Sequence, residues 1–283
     1  MKSAKTQLFR GRRVYFYLLV IATCIVLAFP LYWMVITSIL KRGSLLAYPP
    51  KILPGLNDIH LEPYLNVIKQ KSLINWFFNS TVVTFFSTLF SLLVSMFAAY
   101  SLSRYKSVGS RLMGYCLLII RMLPGTLMII PLYMIFQRMG LLNNKLSLII
   151  GNVAFITPFA VWMMKGYFDG IPVSLEESAQ IDGCTLFQSI WKVIMPLTAP
   201  GLAATTIYSA MLSWDEFLFA KTFMTGQDSW TITVGITSLI GEHVVIWDEM
   251  MAMAVFSILP ILILFILLER HLVSGLTGGA VKQ

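Results

Sequence analysis

Charged residues are scarce in this chain. Only 12% of its 283 residues are Asp, Glu, Lys or Arg, whereas 57% are hydrophobic and the mean hydropathy is +0.77. An ordinary soluble domain has about a quarter of its residues charged. The deficit excludes such a domain, and it predicts an all-α integral membrane protein because the apolar runs have the length of membrane helices.

The residue types that carry catalysis and cofactor binding are also few. The three cysteines, Cys24, Cys116 and Cys184, show no pairing or metal-ligand spacing. The three histidines are scattered, and no Gly-x-Ser-x-Gly elbow occurs. No Gly-Lys pair occurs either, so the chain lacks a Walker A loop for phosphates. We therefore expect no metal, no resident cofactor and no enzymatic activity on this chain.

Six apolar runs are long enough to cross a membrane, which takes roughly 20 mainly apolar residues. The predicted spans are 14–40, 73–103, 112–137, 146–164, 195–220 and 250–268. We expect one transmembrane domain, with outer loops at 41–72 and 221–249, an inner loop at 169–196 and a tail at 270–283. Prolines inside several spans predict kinked helices.

Basic residues set the expected orientation. They cluster near the N-terminus and again between spans two and three, at Arg104, Lys106 and Arg111. Cytoplasmic loops carry an excess of Lys and Arg, so both termini are expected in the cytoplasm. The net charge of +8 is explained by this topology. Nucleic-acid binding is the weaker explanation, because no soluble segment interleaves basic and aromatic residues.

The inner loop between spans four and five opposes this positive trend. Its acidic residues are Asp169, Glu176, Glu177 and Asp182. The loop therefore needs a reason of its own.

Local signals in this loop predict a short helix, a sharp turn and a second short helix before Pro196. Ser174 followed by Glu177 fits a capping box, and Thr185 followed by Gln188 fits another. Between them, Asp182-Gly183 is a turn pair in which glycine can adopt a positive φ.

The second loop helix carries an apolar stripe at helical spacing. Two interpretations stay open: the stripe packs on the protein's own spans, or the loop enters a groove on a partner. Small Ala179 and Gly183 would allow a partner to approach closely. The stripe consists of Leu186, Phe187, Ile190 and Trp191.

The loop resembles the EAA loop of permease subunits in binding-protein-dependent ABC importers. The matching residues are Glu177-Ser178-Ala179-Gln180-Ile181-Asp182-Gly183, then nine residues and Val193-Ile194-Met195-Pro196. The family pattern is Glu-Ala-Ala, three residues, Gly, nine residues and Ile-x-Leu-Pro. Ser178, Val193 and Met195 depart from it mildly and leave the spacing intact.

The resemblance covers nearly the whole chain and is similar to the maltose-transporter type of sugar permease. Pro124-Gly125, Ile130-Pro131-Leu132-Tyr133 and Gly140-Leu141-Leu142-Asn143 match the third-span region. Trp214-Asp215-Glu216-Phe217 is similar to Trp-Asn-Glu-Phe in the fifth span, and 275–282 resembles the short C-terminal tail.

The resemblance implies a type I ABC importer permease fold in the cytoplasmic (inner) membrane. It also implies three partners: a second permease subunit forming a heterodimer, a cytoplasmic ATPase dimer that holds ATP and Mg, and an extracytoplasmic solute-binding protein. By resemblance, the tail residues Gly278, Gly279 and Lys282 would contact the ATPase. The residues implied for ATPase coupling are Glu177, Ala179, Asp182, Gly183, Leu186 and Phe187.

Polar and aromatic residues in the spans are candidates for the translocation path. Arg121 is costly in hydrocarbon, so it either faces a water-filled path or partner, or snorkels to the interface. Trp214 with Asp215 and Glu216 suits a hydroxyl-rich solute, although a gate or helix-packing role fits equally. Tyr133 completes the set.

The resemblance favours a sugar as solute, an oligosaccharide that is neutral or acidic. The alternative is a secondary, ion-coupled transporter. Such a transporter is expected to show inverted repeats and charged coupling sites at mid-membrane, and only Arg121 comes close.

Overall fold

A computed structural model describes residues 2–45, 47–48, 51–70, 72–241 and 245–280. Within these ranges the regular structure is helical, apart from two isolated bridges, Leu40 with Ile59 and Ile240 with Val245. Two compact units are formed, one from Met1–Lys71 with Leu239–Phe256 and the other from Ser72–Ser238 with Ser257–Gln283.

The helices follow one another in chain order. They are α1 (Lys2–Ile39), α2 (Arg42–Leu45), α3 (Glu62–Gln70), α4 (Leu73–Arg104), α5 (Val108–Met122), α6 (Thr126–Arg138), α7 (Lys145–Asp169), α8 (Ser174–Ile181), α9 (Leu186–Ser189), α10 (Met195–Leu197), α11 (Ala199–Trp214), α12 (Leu218–Phe223), α13 (Ile232–Thr237) and α14 (Trp247–Ala280). A π-helical turn, Ile190–Ile194, joins α9 to α10, and short 3₁₀ turns lie at Leu56–Asp58 and Gln227–Ser229.

Four of the described helices are long and apolar enough to cross a membrane singly. Their crossing segments are Tyr15–Ile39, Leu73–Arg104, Lys145–Asp169 and Trp247–His271. Two bent pairs bring the total to as many as six spans: α5 with α6, bent by 97°, and Leu186–Leu197 with Ala199–Phe223, bent by 77°.

The third expected span, 112–137, is therefore two helices in the structure. The break falls at Leu123, Pro124 and Gly125. Proline has no N–H to donate and disfavours a helical backbone at the residue before it, which explains why α5 ends at Met122. Pro30, Pro131, Pro158 and Pro260 are accommodated inside helices.

The larger unit is built around close packing of α4 against α7 and α11. The inward face of α4 carries small polar residues, among them Ser87, Ser91 and Ser95, all fully buried. Small residues let membrane helices approach closely, and their hydroxyls can bond across the interface. Thr157 on α7 donates such a bond to Ser91, at 3.3 Å.

Two glycines are required by close approach in this unit. A Cβ on Gly235 of α13 would lie 2.1 Å from Cε3 of Trp76. A Cβ on Gly201 of α11 would lie 2.4 Å from Cγ of Tyr167. The apolar stretch after Ser229, which is too short to cross a membrane, is thus folded onto α4 through Trp76.

Ion pairs order the smaller unit. Arg42 Nε lies 2.9 Å from the buried Asp248 carboxylate at the start of α14. Lys51 Nζ lies 2.9 Å from Asp58. Hydrogen bonds from Lys51 and Ser44 lower the pKa of Asp58 to about 2. Arg42 and Lys51 thus both have acidic partners within the chain.

Candidate functional site

The acidic loop after α7 forms its first helix, α8, but not with the expected cap. Val173 is the N-cap and makes no side-chain capping bond, and Ser174 already lies within the first turn. The prediction of a capping box at Ser174 was wrong. Backbone N–H groups of Glu176 and Glu177 bond to the Val173 carbonyl instead, because the helix starts just after Pro172.

The turn and the second helix form as expected. Gly183 has φ of +87°, and the Cys184 N–H closes the turn onto the Ala179 carbonyl at 3.0 Å. Thr185 Oγ1 accepts from Gln188 N, and the Gln188 side chain accepts from Thr185 N, which confirms the second capping box. The helix then continues through the π-helical turn and past Pro196 to Leu197.

A buried carboxylate anchors α8 to the end of α4. Glu176 is 5% exposed, accepts a hydrogen bond from the Tyr100 hydroxyl at 2.8 Å and is paired with Arg104 Nε. Arg104 also donates to the Phe168 carbonyl at 3.0 Å. These contacts tie α8 to both α4 and α7. Sequence reasoning missed this anchor, since Arg104 was assigned to topology and Glu176 to a general acidic cluster.

A second polar tie lies beside the first. Ser103 Oγ donates to Asp169 Oδ1 at 2.6 Å, and Lys165 Nζ lies 2.5 Å from Asp169 Oδ2. The end of α4 is thus joined to the end of α7 immediately before the loop begins. The loop is therefore held by hydrogen bonds and ion pairs to the ends of α4 and α7 as well as by its connections along the chain.

The residues of the apolar stripe on the second loop helix do not all have the same environment, so each of the two interpretations applies to part of the stripe. Ile190 is buried in the core that α4 and α7 form around Phe168. Leu186, Phe187 and Trp191 remain exposed, Phe187 by 61%. Own-span packing therefore holds the helix, while most of the stripe is free to contact a partner.

We use the name loop tip for the exposed coupling candidates together with the neighbouring exposed Ile181: Glu177, Ile181, Asp182, Gly183, Leu186 and Phe187. Ile181 is 85% exposed, which is unusual for an isoleucine beside a structured turn. Two carboxylates and three large apolar side chains give the loop tip both negative charge and exposed apolar surface that a partner could bury. Ala179, in contrast, is 7% exposed and faces the protein's own core, so its small side chain serves close packing within the chain.

Arg121 ends α5 just before the helix break. Its Nη2 donates to the Tyr208 hydroxyl at 3.0 Å, and its guanidinium lies 4.6 Å from the ring centroid of Phe155. No carboxylate pairs with it among the described residues. Aromatic faces and one hydroxyl thus stabilise the charge. Tyr133 packs against the core around Phe136, as Phe155 does.

The expected Trp214, Asp215 and Glu216 cluster is split by the structure. Trp214 is 3% exposed, and its Nε1 donates to the Ser257 carbonyl at 3.0 Å. Glu216 accepts from the backbone N–H groups of Phe219 and Ala220, at 2.6 and 2.9 Å, and so caps α12. Asp215 alone is exposed. The geometry favours a packing role for Trp214 and a helix-capping role for Glu216.

The outer segment around Gly226 is fixed to α4. Trp76 Nε1 donates to the Gln227 carbonyl at 2.8 Å, and Asn79 Nδ2 donates to the carbonyls of Asp228 and Trp230.

Of the tail candidates, Gly278 and Gly279 fall near the end of α14, and Lys282 lies outside the described residues. The described residues contain no group of three or more His, Cys, Asp or Glu side chains that could hold a metal.

In the described part of the chain, four long apolar helices, two bent apolar helix pairs and a loop anchored by buried charges define an integral membrane protein with several spans. The chain matches the family described as "Binding-protein-dependent transport system inner membrane component" over residues 91–278 and belongs to it. Permease subunits of this kind are not enzymes, and the ATPase is a separate chain.

Relatives match over nearly their full lengths. The chain is 32% identical to the inner membrane ABC transporter permease protein YcjP of Escherichia coli, covering 95% of this chain and 96% of that protein. It is 33% identical to the diacetylchitobiose uptake system permease protein DasC of Streptomyces coelicolor, covering 90% and 92%. It is 31% identical to the trehalose/maltose transport system permease protein MalG of Thermococcus litoralis, covering 93% and 94%.

A solved structure shares the fold. It is the crystal structure of a bacterial ABC transporter involved in the import of the acidic polysaccharide alginate. One of its chains matches with a TM-score of 0.77 at 23% identity, covering 92% of this chain and 96% of that chain. The all-α type I ABC importer permease fold expected from the sequence is thereby confirmed. The family match and the sugar-permease relatives do not support the ion-coupled alternative.

Proposed function

We propose that this chain is the permease subunit of an ATP-driven importer that moves an oligosaccharide across the cytoplasmic membrane by alternating access. The loop tip couples it to a separate ATPase. On this proposal both termini and the loop tip lie in the cytoplasm, in accord with the basic residues at Arg104, Lys106 and Arg111.

The observation that carries the proposal is the pairing of an exposed tip with a buried anchor. Ile181 and Phe187 are largely exposed, whereas Glu176 on the same loop is held by Arg104 and Tyr100. A partner that grips the tip cannot move it without moving α4 and α7. Rigid-body displacement of a partner would therefore be transmitted to the spans.

The proposed partners follow from the family and from the exposed surface. An ATPase dimer would receive the loop tip, a second permease would form a heterodimer with this chain, and an extracytoplasmic binding protein would deliver the solute. A further solved relative supports the last of these, being a bacterial alginate ABC transporter in complex with a periplasmic protein bound to alginate pentasaccharide.

An oligosaccharide is the solute class that the relatives favour. Their names specify diacetylchitobiose, arabinooligosaccharides, and trehalose or maltose. Within this chain, Arg121, Tyr133 and Asp215 are the proposed path residues, with Trp214 and Glu216 as structural supports of the path. The guanidinium of Arg121 lies on aromatic faces and has no carboxylate partner in the described part of the chain, which suits a polar solute with planar or ring surfaces.

Copurification tests the coupling role. The full chain is coexpressed with its neighbouring permease and ATPase genes, and ATPase recovery is measured with hydrolysis stimulated by the binding protein. Phe187→Ala and Asp182→Lys are expected to lower recovery at least about tenfold, since truncated anchors commonly cost 2 kcal/mol or more. Gln180→Ala, an exposed change on α8 outside the loop tip, is the matched control.

Two results would overturn the proposal. One is unchanged ATPase recovery in both tip variants while the protein stays folded. The other is solute uptake that follows an ion gradient in the absence of any ATPase.

A further inference from the structure

An open groove of about 620 Å³ lies beside the loop anchor, between the end of α4, the start of α5 and the end of α7. Four basic side chains line it, and a single acidic one. The residues that matter for the argument are Arg104, Lys106, Arg111, Lys165, Asp169 and Trp162.

The charges of this groove do not cancel. Arg104 is paired with Glu176, and Lys165 is paired with Asp169. Lys106 and Arg111 have no ion-pair or hydrogen-bond partner for their side chains among the described residues, and both are exposed. The groove therefore presents two uncompensated positive charges.

One of the arginines that line the groove has a buried donor atom with no hydrogen-bond partner among the described residues. Arg104 has a side chain only 9% exposed, and its Nη2 atom is buried without a partner in the described part of the chain. A buried unsatisfied N–H is costly, so an acceptor is expected at this place. The N-terminal end of α5, capped by Ser107, adds the positive end of a helix dipole to the same groove.

The surroundings of the groove are those of a membrane interface. Trp162 and Tyr115 line it and are 50% and 58% exposed. Aromatic side chains of this kind concentrate at the level of lipid headgroups. None of the residues of α5 is buried, so its apolar side chains, including Leu112, are open to acyl chains directly below the groove.

We infer that this groove binds the phosphate headgroup of an anionic phospholipid from the cytoplasmic leaflet. Lys106 and Arg111 supply the attraction, Arg104 supplies the buried donor, and the apolar face of α5 carries the acyl chains. Anionic lipids are concentrated in that leaflet, and basic pockets near membrane helices are the usual sites for their headgroups. The inference rests on the proposed cytoplasmic placement of the loop.

The occupied groove would act on the coupling loop through shared residues. Arg104 belongs both to the groove and to the Glu176 anchor of α8. A phosphate that fills the empty donor position of Arg104 would hold its guanidinium in the orientation that the anchor needs. The lipid would then stabilise the loop without contacting its tip.

Native mass spectrometry of the full complex tests the inference. Wild type is reconstituted with dioleoyl-phosphatidylglycerol or dioleoyl-phosphatidylcholine, and retained lipid is counted after detergent exchange. Lys106→Gln with Arg111→Gln is expected to weaken phosphatidylglycerol retention about ten- to thirtyfold, from the usual worth of two basic residues near an anionic surface. Lys192→Gln, an exposed base on the loop outside the groove, is the control and should retain lipid as wild type does.

Further measurements identify the molecule that binds in the groove. Inorganic phosphate at millimolar concentration should fail to displace phosphatidylglycerol; displacement would assign the groove to a soluble anion and overturn the lipid inference. Equal retention of the two lipids, or equal retention by the double variant, would overturn it as well. Phosphatidylglycerol retention measured on Phe187→Ala separates this result from the coupling proposal, because that variant changes the loop tip and leaves the groove residues intact.

Discussion

Glu176 on α8 and Arg104 at the end of α4 form a buried ion pair between residues 72 positions apart in the sequence. Their side chains are 6% and 9% exposed, and the Tyr100 hydroxyl donates to the free oxygen of the same carboxylate. The pair connects α8 of the surface loop directly to the end of α4. The loop can then carry force to α4 in a way that an unanchored loop could not.

Glu176→Gln is expected to destabilise the protein by about 3 to 5 kcal/mol, because it leaves the Arg104 charge buried without its counter-ion. Thermal unfolding in detergent measures the loss. Glu177→Gln, one residue along and exposed, should leave the unfolding temperature unchanged while it weakens ATPase recovery. Combining Arg104→Gln with Glu176→Gln should cost less than the sum of the two single changes. Strict additivity would mean that the pair is not coupled.

Gly183→Ala is expected to impair coupling through backbone strain. Gly183 has φ of +87°, and no atom lies within 4 Å of an added Cβ, so the cost comes from the conformation and not from a clash. Gly183→Asn adds a larger side chain but tolerates a positive φ better. ATPase recovery and uptake should therefore rank wild type, Asn, then Ala. If Asn were the worse of the two, steric access at the tip and not backbone geometry would control docking.

Gly235→Ala is expected to destabilise the larger unit by about 1 to 3 kcal/mol, the usual range for overpacking. The added Cβ would overlap the Trp76 ring, with contacts of 2.1 to 2.7 Å. Gly226→Ala is the matched change in the same outer segment, because its nearest neighbour is Ser229 Oγ at 3.8 Å. Thermal unfolding should separate the two variants. Equal stability would show that α13 can move away from α4 at little cost.

Glu216→Ala should lower stability by about 0.5 to 2 kcal/mol, the range for losing a helix cap. Its carboxylate accepts the N–H groups of Phe219 and Ala220 at the start of α12. Asp215→Ala removes the neighbouring exposed carboxylate and should leave the unfolding temperature unchanged. Any loss of uptake in Asp215→Ala then reports on the path and not on folding. The reverse ranking of stabilities would contradict the assignment.

Arg121→Ala is expected to reduce uptake of a labelled oligosaccharide retained by the cognate binding protein, with ATPase recovery unchanged. Tyr208→Phe removes only the hydrogen bond to Arg121 and keeps the ring, so its effect should be smaller. Arg121→Lys keeps the charge but loses the planar contact with Phe155. If Arg121→Ala left uptake and expression at the level of wild type, Arg121 would have no part in the path.

The membrane class and the helix–turn–helix shape of the loop could be predicted from the sequence, whereas the break within the third expected span could not be placed. Length and hydropathy mark a membrane helix because each helix must satisfy its own backbone hydrogen bonds and span about 30 Å of hydrocarbon. The capping box of Thr185 with Gln188 and the positive φ of Gly183 were local signals, confirmed by the structure. The prediction of a Ser174 cap failed because Val173 is the N-cap and Ser174 is the first helical residue, a difference of one position.

The sequence by itself thus determined a polytopic helical protein with a structured loop, since those properties depend on composition and on neighbours within a few residues. Only the tertiary structure decided which loop residues anchor the loop to the membrane helices and which are exposed to a partner. Glu176 and Glu177 are adjacent and chemically alike, yet one is buried against Arg104 and the other is exposed. Their difference depends on where α4 ends in space relative to α8, which follows from the packing of α4 against α7. That packing sums many weak contacts between residues far apart in the chain, and no local pattern records it.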